Sequence, residues 1–348
     1  MNQKMIKVLE NAYQNPDKKI CFYIGESQQK AADILRLKQW DWCPQTTVNI
    51  EPWYWNTHSI ALTFGAEPHF TSDGKEWIKK MISDPLQVSK IKIPGIWSGR
   101  TGEILEKAGE LLKQQPEETL IRMPDIQSPL GIAELLWDES FYVAFYLSPD
   151  ALHDLLEKIT TLNINYIKEF QNLLGRRLNP ACHPRIWSDP EGYYISDDVN
   201  SMISPEQHAE FSIPYINKIT EACGPVFYHS CTWTPPYFEN IKNVKNKKAV
   251  NWSTGTSADP ALLIKEFSGK FVIAPHIGIN THTEEGITNL NKNIFNAYDL
   301  VKYYLDSMQE NTTMYMVLQE SIFEDAELTR RIYKLFTEKG YSPENFNL

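Results

Sequence analysis

The sequence predicts an α/β fold, a (β/α)₈ TIM barrel of parallel strands with an irregular N-terminal layer. Eight short apolar runs recur along the 348 residues, at 19–24, 46–51, 119–126, 185–188, 225–231, 249–253, 271–275 and 314–319. Helical patterns separate most of them. Strands that are apolar on both faces and alternate with helices belong to a parallel sheet covered on both sides. About eight such units favour a closed barrel over an open sheet. No Gly-x-Gly-x-x-Gly follows an early strand, so a doubly wound dinucleotide-binding fold loses its main signature.

The elements carry recognisable starts and stops. Residues 1–45 are expected as an extension packed on a single domain that spans 1–348, and the first hundred residues are less regular than the rest. Ser148-Pro149-Asp150 and Asp259-Pro260 each open a helix with a capping side chain followed by proline. Ser204-Pro205-Glu206-Gln207 adds a glutamine at the position of a capping box. Gly224, Gly269 and Gly340 fit helix C-terminal stops.

Composition narrows the function classes. Against 34 Lys and Arg stand 44 Asp and Glu, a formal charge of -10, which disfavours nucleic acid as the main partner because phosphate binding needs a basic face. No run approaches a membrane span, and the opening residues form a polar helical pattern, so a cytoplasmic protein with a small-molecule substrate is expected. Five widely spaced cysteines do not suggest a disulfide framework. Among ten tryptophans, Trp53, Trp55, Trp187, Trp233 and Trp252 fall at expected strand ends. They suit a broad cleft for a flat ligand, with Trp53 and Trp233 as substrate contacts, or else they fill the core.

The run Val226-Phe227-Tyr228-His229-Ser230-Cys231 follows the helix stop at Gly224. Alternation along a strand puts Phe227, His229 and Cys231 on one face and Tyr228 on the other. His229 and Cys231 then lie at the C-terminal end, where barrel active sites are built, and an imidazole and a thiol so placed can grip one zinc ion or fill the mouth as a polar pair. Asp198 precedes a helix start and reads as a base, as a partner orienting His229, or as a turn cap. Glu51 ends a strand and is either a substrate-binding acid or a surface acid before a proline. No phosphate loop and no Ser-His-Asp order with an elbow is present.

These residues resemble a family. The stretch 196–206, with Asp198 and Ile203-Ser204-Pro205-Glu206, then Phe211-Ser212-Ile213-Pro214-Tyr215, then His229-Ser230-Cys231, is similar to the uroporphyrinogen decarboxylase superfamily, nearest its cobamide-dependent methyltransferases. Weaker matches at 64–67, 125–133 and 148–150 extend the likeness over about 45–340. The resemblance implies a barrel in which His229 and Cys231, with a late cysteine, bind zinc. It further implies a thiol that accepts methyl from a methylcobamide carried by a separate corrinoid protein. The chain departs from that pattern: no cysteine follows Cys231. Glu320 falls where the third ligand is wanted, or caps the next helix or pairs at the rim. His276 and His282 are rival ligands or loop histidines bound to backbone, and His276 is also a candidate substrate contact. The decarboxylases of the superfamily hold a tetrapyrrole with an arginine-rich N-terminal segment, which is lacking here, though Asp125 or Asp198 could stand for their catalytic aspartate. A decarboxylase of tetrapyrrole side chains is thus the second expectation. A non-catalytic barrel that binds a corrinoid or small ligand is the third.

Overall fold

The computed structural model describes residues 3–17, 19–25, 34, 47–52, 57–72, 74, 76–182, 188, 191–254, 257–277 and 296–341. In chain order the strands are β1 Ile20–Gly25, β2 Thr47–Val48, β3 Glu67–Phe70, β4 Glu76–Lys79, β5 Leu120–Arg122, β6 Leu178–Asn179, β7 Tyr193–Ser196, β8 Val226–His229, β9 Lys247–Ser253, β10 Val272–Ile277 and β11 Thr313–Leu318. Six of them form one parallel sheet in the order β1-β11-β10-β9-β8-β7, and β2-β5-β6 form a second, also parallel. The class is therefore α/β with parallel sheets, as the alternation of apolar runs and helices requires.

The two sheets meet at one bridge, Gln127 to Ser196. Both β6 and β7 lie beside the stretch that begins as β5. Met123 N–H donates to Asn179 O at 2.8 Å, and further along Ser196 N–H donates to Ile126 O at 2.8 Å. Between β1 and β2 no pairing is present among the described residues, so a closed barrel is not seen. The run expected as a strand at 19–24 is β1, inside the segment 1–45, and it pairs along its whole length with β11. The strand expected at 185–188 falls largely outside the described residues, and the described strands around it are β6 and β7.

The signalled helices begin and end where the sequence places them, although Ser148 makes no side-chain capping bond ahead of Pro149–Leu174. Ser204 forms the full capping box with Gln207 ahead of the helix Pro205–Phe211, and Asp259 accepts from Ala261 N–H ahead of Pro260–Phe267. Gly224, at φ 95°, ends the helix Ile213–Cys223 and turns the chain into β8. Gly192 does the same work before β7: at φ 98° an added Cβ would stand 1.9 Å from the Pro225 carbonyl oxygen that accepts Tyr193 N–H. Strands β8 and β11 are buried throughout, as expected of strands covered on both faces.

Outside the parallel sheets, β3 and β4 form an antiparallel hairpin. In β4 the alternation buries Glu76 and Ile78 and exposes Trp77 and Lys79. Arg100 closes a two-bonded fork on the Glu76 carboxylate, Nη1 to Oε1 at 2.9 Å and Nη2 to Oε2 at 3.0 Å, which fixes the root of the hairpin. No helix among the described residues is long and apolar enough to cross a membrane.

Candidate metal centre

Strands β7 and β8 run in register with Ser196 beside His229, and Asp197 N–H donates to His229 O at 2.9 Å. Beyond this pair the chain splits its two aspartates. Asp197 turns into the core, where its carboxylate accepts from Tyr228 Oη at 2.7 Å and Ser212 Oγ at 2.9 Å and meets His208 Nε2 at 2.8 Å. Burial works to raise its pKa, but His208 and the hydrogen bonds prevail and hold it below the ordinary carboxylate range. Tyr228 thus occupies the strand face opposite His229, as alternation requires.

Asp198 turns the other way. Its Oδ2 accepts from Ser196 Oγ at 2.7 Å and its Oδ1 from the backbone N–H of Cys231 at 2.6 Å. The loop after β8 is tied again one residue earlier, since Ser230 Oγ donates to Asn200 Oδ1 at 2.9 Å. Cys231 is therefore delivered beside His229 by bonds to the turn that carries Asp198. Sγ of Cys231 lies 3.6 Å from His229 Nε2, and that nitrogen lies 3.8 Å from Asp198 Oδ1.

The tautomer of His229 follows from its other nitrogen. Asn251, its register partner on β9, donates through Nδ2 to the Ala274 carbonyl and so presents its carboxamide oxygen to His229 Nδ1. An oxygen can only accept, so Nδ1 carries the proton and Nε2 is the unprotonated, lone-pair nitrogen of the ring. Burial first, and the neighbouring His276 less, hold the imidazole below its usual pKa, with Asp198 and Asn251 working in the other direction. The result is a neutral ring with its lone pair facing a thiol and a carboxylate.

Among the described residues, Asp198, His229 and Cys231 form a group whose ligand atoms all lie within 4.8 Å of one another. Bond lengths of about 2.0–2.3 Å at tetrahedral angles put ligand atoms roughly 3.3–3.8 Å apart. The 3.6 Å sulfur–nitrogen separation falls in that range, and the 3.8 Å nitrogen–oxygen separation is a few tenths of an ångström wider than an N/O ligand pair needs. Three ligands would leave a fourth position open, the pattern of catalytic zinc. Without a cation, burial and the Asp198 charge push the Cys231 thiol up to about 12, and a divalent ion reverses that balance. The donor set fits a borderline-soft divalent metal such as zinc.

The three residues open on a cavity of about 510 Å³, also lined by Asp125, Glu134, Thr57, His58, Trp77 and His276. Asp125 accepts at Oδ2 from Thr57 Oγ1 and Gln127 Nε2, both at 3.0 Å. Burial, and then the charge of Asp198, pushes its pKa up to about 7. His58 is 4 % exposed, and its ring meets Trp77 edge-on at 4.9 Å.

The sequence candidates sort as follows. Asp125, Asp198, His229, Cys231 and His276 line one cavity. Asp198, expected as a base, orienting partner or cap, stands at ligand distance itself. Trp233, expected to contact substrate, is a core residue with no exposed surface: its ring lies against Tyr228 and its indole N–H donates to Asn251 O at 3.0 Å. Glu51 is exposed and is not among the cavity's lining residues. Trp53, His282 and the Glu320 side chain lie outside the described residues. The sequence reading missed Asn251 and His58. For Asn251 the available signal was a polar residue inside the apolar run 249–253, next to the strand carrying His229. No motif marked His58.

No family model matches the sequence, and no curated protein matches it. Among solved structures, a methyltransferase from Methanosarcina mazei is similar over 96 % of this chain and 90 % of its own, at a TM-score of 0.60 and 12 % identity. The likeness is one of fold. A B12-independent methionine synthase from Shewanella sp. W3-18-1 overlaps 80 % of this chain and 74 % of its own at a TM-score of 0.41 and 13 % identity, too loosely to bear on the architecture.

Proposed function

We propose that this chain is a metal-dependent methyltransferase of the uroporphyrinogen decarboxylase superfamily, built as a single closed (β/α)₈ barrel. The observation that carries the reading is the set Asp198, His229 and Cys231, with the lone pair of His229 aimed by Asn251. The fold shared with the Methanosarcina methyltransferase supports it, as does the strand order, which runs sequentially around the sheet from β7 to β11.

Asp198, His229 and Cys231 would hold the metal. When bound, zinc acts as a Lewis acid that lowers the pKa of a substrate thiol so that it ionises near neutral pH. The protein's own part is positional. Asn251 holds the imidazole tautomer, Ser196 holds Asp198, and Asp198 together with Asn200 holds the Cys231 loop. The sulfur lone pair of the ionised substrate forms the bond to the methyl carbon, while the carrier keeps the electron pair of the bond that breaks. We assign the carrier role to a methylcobamide on a separate corrinoid protein. Trp77 and His58 form the aromatic wall against which the thiol's tail rests.

The decarboxylase reading finds less support. A tetrapyrrole presents several carboxylates, and among the described residues the cavity lining includes no Lys or Arg.

Metal analysis of the purified protein tests the proposal. About one zinc per chain is expected, falling to a small fraction in Cys231→Ala. A metal-free protein that also fails to take up added zinc would overturn it.

A further inference from the structure

The cavity has two chemically different halves. One is the ligand set. The other is built by Asp125, Thr57, Gln127, His58 and Trp77. Asp125 is 4 % exposed, and its Oδ1 is buried with no hydrogen-bond partner. Among the described residues its partners, both at Oδ2, are the uncharged Thr57 and Gln127. A buried carboxylate lacking a counter-ion is costly, and an unfilled acceptor beside a cavity wants a donor. His58, also 4 % exposed, has no hydrogen-bond partner at either ring nitrogen.

Among the described residues, two neighbouring cations are already engaged. Arg100 is forked onto Glu76, and Lys80 reaches Glu134 at 2.6 Å. Among the described residues the cavity is lined by three carboxylates, Asp125, Glu134 and Asp198, and by neither Lys nor Arg. Asp198 belongs to the ligand set and Glu134 has Lys80, which leaves Asp125 as the carboxylate with no cation beside it among the described residues. Trp77, about half exposed and lining the same space, adds an aromatic ring, a group that favours a small ammonium ion.

We infer that the substrate thiol is an aminothiol, with its ammonium group bound by Asp125 in the half of the cavity walled by Trp77. This deepens the proposed function and rests on it. An anionic tail such as a sulfonate or carboxylate would meet Asp125 with no compensating charge. The bond from ammonium N–H to Oδ1 would supply the missing donor.

The test uses the S-methylated products as well as the thiols, because an aminothiol's own acidity would favour it at a metal. Binding of 2-(methylthio)ethylamine, 2-(methylthio)ethanol and 2-(methylthio)ethanesulfonate is measured by titration calorimetry on the zinc-loaded, unmutated protein. The amine is expected to bind at least about tenfold tighter than the sulfonate, the scale of one charge-assisted contact. In Asp125→Asn that ratio should collapse to about twofold or less, with binding of the neutral alcohol unchanged. Equal affinities for amine and sulfonate in the unmutated protein, or a ratio that survives in Asp125→Asn, would overturn the inference. The parent thiols separate the two readings. If 2-mercaptoethanol and 2-aminoethanethiol bind but charge makes no difference, the metal–thiol reading stands and the aminothiol inference falls. If no thiol binds, both fall.

Discussion

Asn251 bridges two strands: its amide N–H donates to the Ala274 carbonyl and its carboxamide oxygen accepts from His229 Nδ1–H. One side chain thereby fixes which nitrogen of His229 is available. Partners of this kind typically change metal affinity by about 10–100-fold when removed. Asn251→Ala should therefore weaken zinc binding by that factor, read by competition with a chromophoric chelator, while far-UV circular dichroism stays unchanged. Unaltered affinity would show that the tautomer is set some other way.

The third ligand offers a sharper contrast. The family resemblance leaves Glu320, His276 and His282 as rival third ligands, whereas the geometry brings Asp198 to within 3.8 Å of His229 Nε2. Asp198→Asn should lose most of its bound zinc, and Glu320→Gln should retain it, as counted by metal analysis after gel filtration. The reverse pattern would restore Glu320 to the ligand set.

Asp197 predicts a loss of stability. It is fully buried with His208, Ser212 and Tyr228 around it, and none of these lines the cavity. Breaking one side of such a pair strands the other polar groups, at about 3–5 kcal/mol. Asp197→Ala should lower the stability measured in urea by that order, and Asp197→Asn by less, since it keeps part of the hydrogen bonding.

Asp125 predicts a pH dependence in the metal-free protein. Burial and Asp198 raise its pKa from 3.8 to about 7, so the folded state holds a proton that the unfolded chain releases. The sign follows from linkage: the contribution of this group is complete below the unfolded value, declines as pH rises towards 7, and is level above. At 1.36 kcal/mol per unit the full decline is at most about 4 kcal/mol. Relative to Asp125→Asn, the unmutated protein should lose stability between pH 4 and pH 7. Parallel curves for the two proteins, followed by urea unfolding across that range, would contradict this.

Gly192 gives a backbone prediction. With φ at 98° and a Cβ position 1.9 Å from Pro225 O, Gly192→Ala must displace the carbonyl that anchors Tyr193 at the start of β7. Low yield or a markedly reduced melting temperature is expected, compared with a small effect for Gly109→Ala, where a Cβ would meet nothing within 4 Å.

Much of the scaffold was legible because burial on both faces leaves continuous apolar runs. The strands β8 to β11 fall within about two residues of the runs that mark them. The strand β7 escaped because four residues, three of them Tyr-Tyr-Ile after a glycine turn, carry neither alternation nor length. His229 and Cys231 were legible as donors because imidazole and thiol are rare and their spacing sets a shared face. The role of Asp198 was not, since whether Asp197 or Asp198 faces the cavity depends on the turn that begins at residue 197. Asn251 shows the same limit: its function lies in a contact across strands, and one strand's sequence holds no trace of it.

The hairpin of β3 and β4 has a consequence for how such a protein can diverge. The residues that would hold the metal are tied by hydrogen bonds to neighbouring parallel strands, while Trp77 comes from a two-stranded appendage rooted by Arg100 and Glu76. Exchanging or lengthening that appendage would remodel the wall against which a ligand rests without touching the strands beneath. Selectivity can then drift, or be engineered, by hairpin replacement, while the reactive end of the cavity is inherited intact.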